Sequence, residues 1–127
     1  MSNKLVYGQL SYKLTGVLFY IHNQLGRYCN HQQYCDSIEN ELKKINLSYK
    51  REEYINLSFE GEKSFRNKFD FLIENKIILE IKAKRIISKE DYYQTKRYLK
   101  ALNKELGIIV NFRDKFLKPK RILNSLS

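Results

Sequence analysis

The chain has 127 residues, which is enough for one domain with a single hydrophobic core and too few for two. Its 24 lysines and arginines against 14 aspartates and glutamates give a formal charge of +10, so the expected partner is a polyanion, either a nucleic acid or an anionic membrane surface. No apolar run approaches the ~20 residues of a membrane span, and the first residues lack the apolar stretch of a signal peptide. We therefore expect one soluble, cytoplasmic domain over residues 1–127, with no membrane partner.

Two helices are predicted at the start of the chain. Apolar residues recur at three- and four-residue spacings over residues 7–25, which predicts a helix that ends at Gly26. A second pattern of this kind, over residues 34–45, predicts another helix. The break between the two helices falls just before His31.

The two cysteines, Cys29 and Cys35, lie six residues apart on or near the second helix. They would face different directions there, which makes a disulfide unfavourable. We expect both to be free thiols with structural or incidental roles.

The middle of the chain reads as strands. Residues 48–59 alternate loosely and are rich in Tyr, Ile and Leu, and residues 60–63 have the composition of a turn. Residues 65–73 and 77–84 are predicted to form a β-hairpin, with Asn75 in its turn.

One more helix and two strands complete the predicted order. The serine that opens the predicted helix 88–106 and Asp91, three residues later, form a capping-box pattern, and Gly107 is expected to end that helix. Residues 108–110 form a buried strand, and residues 116–123 an edge strand that carries a proline. The order α-α-β-β-β-α-β-β indicates an α/β fold in which helices flank a mixed central sheet.

Three charged residues interrupt the apolar hairpin: Asp70 on its first strand, and Glu80 and Lys82 on its second. Side chains alternate along a strand, so Glu80 and Lys82 share a face. A three-residue connection over 74–76 would set Asp70 opposite Glu80 on that face, whereas a two-residue turn would separate them. Two carboxylates so close repel each other unless a cation lies between them. The hairpin therefore predicts a divalent-cation site with a lysine beside it.

The spacing of Asp70, Glu80 and Lys82 within this order of elements resembles the PD-(D/E)XK nuclease superfamily. A further likeness, to the GxxExxY family within that superfamily, extends over nearly the whole chain and implies a restriction-endonuclease-like fold. Besides the charged residues, it is carried by residues 23–26, Tyr34, residues 41–42 and 79–83, Gln94, Tyr98 and residues 109–112.

The resemblance implies a metal-dependent nuclease that acts on DNA in preference to RNA. Asp70, Glu80 and the backbone carbonyl of Ile81 would bind Mg²⁺ or Mn²⁺. Lys82 would orient or deprotonate a water molecule and stabilise the charge that develops on the phosphate. A domain of this size would cut both strands of a duplex as a homodimer, although no segment identifies an interface.

The chain departs from the GxxExxY pattern at two of its three naming positions, which read Tyr28, His31 and Tyr34. Imidazole suits Mn²⁺ or Fe²⁺, and nuclease branches with a Gln-x-x-x-Tyr motif use a helix histidine as a metal ligand, so His31 is a candidate ligand. Gln94 and Tyr98 lie four residues apart on one helix face and by resemblance border the site.

The lost glutamate also leaves a second function open. In that interpretation the chain is a catalytically inactive module on a nuclease scaffold that holds nucleic acid or a partner protein. Asp70, Glu80 and Lys82 would then be an ion-pair ladder on a strand surface, with Lys82 paired to Glu80, and His31 an ordinary helix N-terminal residue.

Overall fold

The computed structural model describes residues 6–55, 59–63 and 67–124. Helices and strands follow in the predicted order along the chain. They are α1 (Gly8–Leu25), α2 (His31–Lys44), β1 (Tyr49–Arg51), β2 (Phe71–Ile73), β3 (Ile77–Lys82), α3 (Lys89–Leu102), β4 (Leu106–Asn111) and β5 (Lys120–Leu123). The predicted strands 48–59 and 65–73 include residues 56–58 and 65–66, which lie outside the described residues.

The five strands form one mixed sheet in the order β1-β2-β3-β4-β5. β3 and β4 run parallel, joined by α3, whereas every other neighbouring pair is antiparallel. α1 and α2 pack on one face of the sheet and α3 packs on the other. This confirms the predicted α/β architecture, a mixed central sheet flanked by helices.

β3 lies at the centre of the sheet, and both of its faces are covered. Ile77, Leu79 and Ile81 belong to the apolar cluster that includes α1 and α2, and Ile78 belongs to the cluster under α3. Full burial of such a side chain contributes about 1.5–3 kcal/mol. By alternation, Glu80 leaves β3 on the same face as Ile78, the α3 face.

The β2–β3 hairpin has the three-residue connection that the charge pattern required. Ile73 pairs with Ile77, so residues 74–76 form the connection. Glu74 and Asn75 adopt φ values of 52° and 53°, a conformation that asparagine tolerates better than most residues. The predicted register is therefore confirmed.

The last helix ends earlier than predicted, at Leu102. Asn103, with φ of 54°, caps it, and Gly107 lies inside β4. The glycine is needed for close approach, since a Cβ at position 107 would meet Thr95 Cγ2 of α3 at 2.8 Å. The prediction that Gly107 ends the helix was wrong because a packing constraint, invisible in the local sequence, set this residue.

Several strands are also shorter than predicted. β1 covers three residues and β5 four, so the proline-containing first half of the predicted edge strand is not part of the sheet. Over the described part of the chain, no helix combines the length and apolar composition that crossing a membrane would require.

The contact at Gly107 gives a test of how α3 packs. Gly107→Ala is expected to destabilise the protein by about 1–3 kcal/mol, because the new methyl group overlaps Thr95 Cγ2. Thr95→Ser removes that methyl group and should recover much of the loss in the double variant. Urea unfolding of the four proteins measures the coupling free energy.

Gly16→Ala is the matched control for Gly107→Ala. Position 16 is exposed in α1 with nothing within 4 Å of a new Cβ, so alanine there should stabilise the protein by about 0.5–1 kcal/mol. Additive effects of the two changes at positions 95 and 107 would contradict the packing that we describe.

Candidate active site

The predicted site residues converge at the carboxyl end of β3. The β2–β3 ladder ends at the pair Phe71–Leu79, so β3 continues past the start of β2. Asp70 lies in a bend just before β2, and Glu80 and Lys82 lie in the projecting end of β3.

Asp70 is held against β3 by hydrogen bonds in both directions. Its Oδ2 accepts a hydrogen bond from the Ile81 N–H at 2.7 Å, and its own N–H donates to Glu80 Oε2 at 2.8 Å. Its other carboxylate oxygen, Oδ1, lies 3.1 Å from His31 Nε2. Asp70 thus connects β3 on one side to the first residue of α2 on the other.

The Ile81 carbonyl also faces this edge of β3. The Phe112 N–H donates to the Lys82 carbonyl at 2.9 Å, so the backbone of Lys82 points toward β4. Backbone groups of successive strand residues point to opposite edges, and the Ile81 N–H already meets Asp70. The Ile81 carbonyl therefore points to the Asp70 side of the strand.

Glu80 is a buried carboxylate whose charge Lys82 offsets only in part. Its residue is 3% exposed, and among the described residues no lysine, arginine or histidine forms an ion pair with it. Burial raises the pKa of Glu80, and the nearby charge of Asp70 raises it further. A divalent cation between the two carboxylates would remove this repulsion. The oxygen donors of Asp70, Glu80 and Ile81 fit Mg²⁺ or Mn²⁺.

Lys82 contacts α3 and not Glu80. Its Nζ lies 3.8 Å from Asp91 Oδ1, and Lys84 Nζ lies 2.6 Å from Asp91 Oδ2. Burial alone would raise the pKa of Asp91, but the hydrogen bonds from Lys84 and Ser88 and the charge of Lys82 outweigh it and lower that pKa. The predicted capping box is present. Asp91 also orients Lys82, a role that the capping pattern did not reveal.

His31 begins α2 and lies within the capping box that Asn30 and Gln33 form. Its hydrogen bond with Asp70 raises the pKa of the imidazole, while burial acts in the opposite direction. One helical turn later, Cys35 Sγ lies 3.6 Å from His31 Nε2. Sequence reasoning gave Cys35 an incidental role, although a histidine and a cysteine four residues apart on a helix were a signal.

The side chains of His31, Cys35 and Asp70 offer one donor atom each, all within 4.8 Å of one another. Burial raises the pKa of the Cys35 thiol. Cys35 and Cys29 are both free, as predicted.

The two predicted residues of α3 differ in their relation to the carboxylates. Tyr98 is buried, and burial together with the charge of Glu80 raises its pKa to about 12. Gln94 lies one turn earlier and is half-buried; of the described residues, neither Glu80 nor Asp70 is hydrogen-bonded to it. Tyr98 therefore borders the site, and Gln94 lies beside it on the same helix.

Two residues that carried the family resemblance hold the backbone around the site. The Asn111 side chain accepts a hydrogen bond from the Lys84 N–H and donates one to the Lys84 carbonyl, at 3.1 and 2.6 Å. The Tyr34 hydroxyl donates to the Gly26 carbonyl at 2.6 Å and accepts from the Cys29 N–H at 3.2 Å. Tyr34 is fully buried, so it is a core residue that fixes the loop leading to His31.

Two arginines and a tyrosine form a basic surface feature, here called the arginine–tyrosine cluster, which sequence reasoning missed. Arg27 Nε donates to the Arg113 carbonyl at 2.8 Å, and Arg113 Nε donates to the Arg27 carbonyl at 2.9 Å. Both guanidinium groups lie within 6 Å of the exposed Tyr28 ring, at 5.2 and 5.6 Å from its centre. Arg113 Nη2 also donates to the Ala83 carbonyl, which places the cluster beside the end of β3.

The raised pKa of Glu80 predicts how stability depends on pH in EDTA. A carboxyl group with a raised pKa in the folded state stabilises the protein below its unfolded pKa of 4.5, and this contribution is lost as the pH rises toward the folded pKa. Glu80→Gln cannot ionise, so its free energy of unfolding should fall less between pH 5 and 8. The expected gain over wild type is about 1.4 kcal/mol per unit of pKa shift.

Chemical unfolding at a series of pH values measures this dependence. Glu60→Gln, on an exposed turn, is the matched control. Equal pH dependence for Glu80→Gln and wild type would show that Glu80 is not the partly compensated carboxylate that we describe.

A family model of the PD-(D/E)XK nuclease superfamily matches residues 8–122, which include all three helices and every site residue described above. Neither a comparison with curated proteins nor one with solved structures finds a significant match. The chain therefore belongs to the PD-(D/E)XK nuclease superfamily, and its five-stranded mixed sheet with three helices is consistent with a restriction-endonuclease-like α/β fold.

Proposed function

We propose that the protein is a metal-dependent nuclease that hydrolyses phosphodiester bonds in DNA. The observation that carries this proposal is the linked carboxylate pair, in which the Asp70 N–H donates to the buried Glu80. A buried charge without a partner is unfavourable, so a protein retains such a pair where a cation or a reaction requires it. Because the chain belongs to the PD-(D/E)XK nuclease superfamily, the reaction that we propose is phosphodiester hydrolysis.

The donors for a metal are Asp70, Glu80 and the Ile81 carbonyl, with His31 as a further ligand. When bound there, Mg²⁺ or Mn²⁺ would polarise the scissile phosphate and lower the pKa of a water molecule. The hydrogen bond from the Ile81 N–H keeps Asp70 oriented along the edge of β3. In this proposal His31 replaces the carboxylate of the GxxExxY pattern, and we assign the chain to that branch.

Lys82 would supply positive charge beside the phosphate. Its contact with Asp91 holds the ammonium at the end of β3, where it can orient the attacking water and stabilise developing negative charge. The Tyr98 phenol, which is protonated at neutral pH, would donate a hydrogen bond to the substrate. Gln94 would steady the substrate from the same helix.

The electrostatics of the molecule favour a nucleic acid as substrate. A formal charge of +10 attracts a polyanion, and the arginine–tyrosine cluster lies beside the proposed catalytic residues. Its guanidinium groups suit phosphate oxygens, and the exposed Tyr28 ring suits stacking on an unpaired base.

Cleavage assays with variants test the catalytic proposal. Asp70→Asn and Lys82→Ala should each reduce cleavage of DNA by at least about 100-fold, because each removes a group that acts on the reacting phosphate or water. Supercoiled, linear and branched DNA are incubated with Mg²⁺, Mn²⁺ or EDTA, and the products are separated on gels. Lys100→Ala, an exposed lysine later on α3, is the control and should cleave at the wild-type rate. If Asp70→Asn and Lys82→Ala also cleave at that rate, any activity arises elsewhere.

One observation favours the second candidate function, a catalytically inactive module that binds nucleic acid or a partner protein. The hydrogen bond with Asp70 raises the pKa of His31, and a protonated His31 at 3.1 Å would neutralise Asp70 without a metal. The module would bind DNA equally well in EDTA and in Mn²⁺. The nuclease would be stabilised against heat by Mn²⁺, and Glu80→Ala would lose that effect.

DNA binding through the arginine–tyrosine cluster is expected under both functions. Arg27→Gln should weaken binding and reduce the slope of log Kd against log salt concentration by about 1, because one phosphate contact is lost. Fluorescence anisotropy with a labelled oligonucleotide in EDTA measures both quantities. Lys13→Gln is the matched control, since Lys13 lies near Glu74 at the opposite end of the hairpin. Equal salt-dependence slopes for Arg27→Gln and Lys13→Gln would show that DNA does not bind at the arginine–tyrosine cluster.

A further inference from the structure

Three donor atoms of different kinds meet where α2 begins. His31 Nε2 lies 3.1 Å from Asp70 Oδ1 and 3.6 Å from Cys35 Sγ, and all three donors lie within 4.8 Å of one another. Zinc bond lengths of about 2.0–2.3 Å in a tetrahedral site would place nitrogen and oxygen about 3.3 Å apart, and nitrogen and sulfur about 3.6 Å apart. The two measured separations are close to these values.

The local structure fixes each of the three donors. The Asn30 capping box sets the start of α2, and Cys35 follows His31 by one helical turn on the same face. The Ile81 N–H donates a hydrogen bond to Asp70 Oδ2, so Oδ1 is the oxygen that faces His31. Cys35 is fully buried, whereas the His31 side chain is 37% exposed, which leaves an entry side for an ion.

Glu52 supplies an independent observation. Its N–H donates to the Asp70 carbonyl at 2.9 Å, and its φ of 55° is unusual for a glutamate. Its Oε1 is buried without a hydrogen bond and forms an ion pair with Arg51 Nη2 at 3.5 Å. The charge of Glu52 acts on both His31 and Cys35. Glu52 is not one of the three donors that lie within 4.8 Å of one another, so it supplies nearby negative charge that favours a cation and is not itself a ligand.

We propose that His31, Cys35 and Asp70 form a binding site for a transition-metal ion, with Zn²⁺ as the best-suited ion. Nitrogen, sulfur and oxygen donors together suit Zn²⁺ and Co²⁺, whereas Mg²⁺ prefers oxygen alone. Binding releases the thiol proton of Cys35, since the thiolate is the ligand. Because Asp70 also belongs to the carboxylate site with Glu80, an ion at one site disfavours an ion at the other.

Cobalt substitution tests the site without any cleavage assay. Co²⁺ added to the purified, metal-free chain should produce a thiolate-to-cobalt charge-transfer band in the near ultraviolet, and Zn²⁺ should then abolish that band by displacing the cobalt. Cys35→Ser should lose the band. Cys29→Ser, which removes the other free cysteine, should keep it.

Two further variants separate this site from the proposed catalytic one. Glu80→Gln should retain the cobalt band, because Glu80 is not one of the ligands. His31→Gln should weaken Co²⁺ binding by at least about tenfold, and its partly exposed position leaves the core intact. Circular dichroism checks that Cys35→Ser and Cys35→Ala remain folded.

Absence of the charge-transfer band in the folded wild type would overturn the proposal, as would a band that depends on Cys29 and survives the loss of Cys35. The readout is optical, so a protein that fails to cleave DNA can still pass this test. Failure of the zinc site is therefore distinguishable from failure of the nuclease function.

Discussion

The hydrogen bond between the Ile81 N–H and the Asp70 carboxylate is the constraint on which the site depends. The β2–β3 ladder stops at Phe71, so no backbone carbonyl of β2 reaches Ile81. The aspartate side chain takes the place of that missing acceptor and anchors a residue that lies outside any strand. The same anchor brings the Asp70 N–H to Glu80 and leaves Oδ1 facing His31. The geometry of the whole site thus follows from a β2–β3 ladder that stops one residue short of Asp70.

The charges around this anchor are only partly compensated within the protein. His31 offsets Asp70 on the α2 side, but Lys82 is drawn toward Asp91 and leaves Glu80 without an ion pair among the described residues. Removing the repulsion by an apolar substitution would stabilise the fold and would also remove the donors. The arrangement is understandable if the missing positive charge comes from a metal ion, because Glu80 lies on the α3 face, near Lys82 and Tyr98, where a phosphate would be held.

Sequence alone was sufficient wherever the determining contacts are local or periodic. The apolar spacing over residues 7–25 predicted α1, and the hypothesis of a cation between Asp70 and Glu80 required the three-residue connection that the hairpin has. Sequence alone was insufficient where contacts between residues far apart in the chain determine the structure. Gly107 is set by Thr95 of α3, and the arginine–tyrosine cluster joins positions 86 residues apart. Cys35 lay in the predicted helix, but its meeting with Asp70 required the tertiary fold.

If the chain belongs to the GxxExxY branch, as we propose, the exchange of that pattern's glutamate for His31 alters the chemistry of the site in a consistent direction. A third carboxylate near Asp70 and Glu80 would add repulsion and favour a hard cation such as Mg²⁺. Imidazole removes one negative charge, and the Cys35 thiol beside it adds a soft donor on the same helix face. Both changes would favour Mn²⁺, Zn²⁺ or Co²⁺ over a cation bound by oxygen alone. Because Asp70 belongs to both proposed donor sets, an ion held by His31 and Cys35 would compete with an ion held by Glu80 for the same carboxylate.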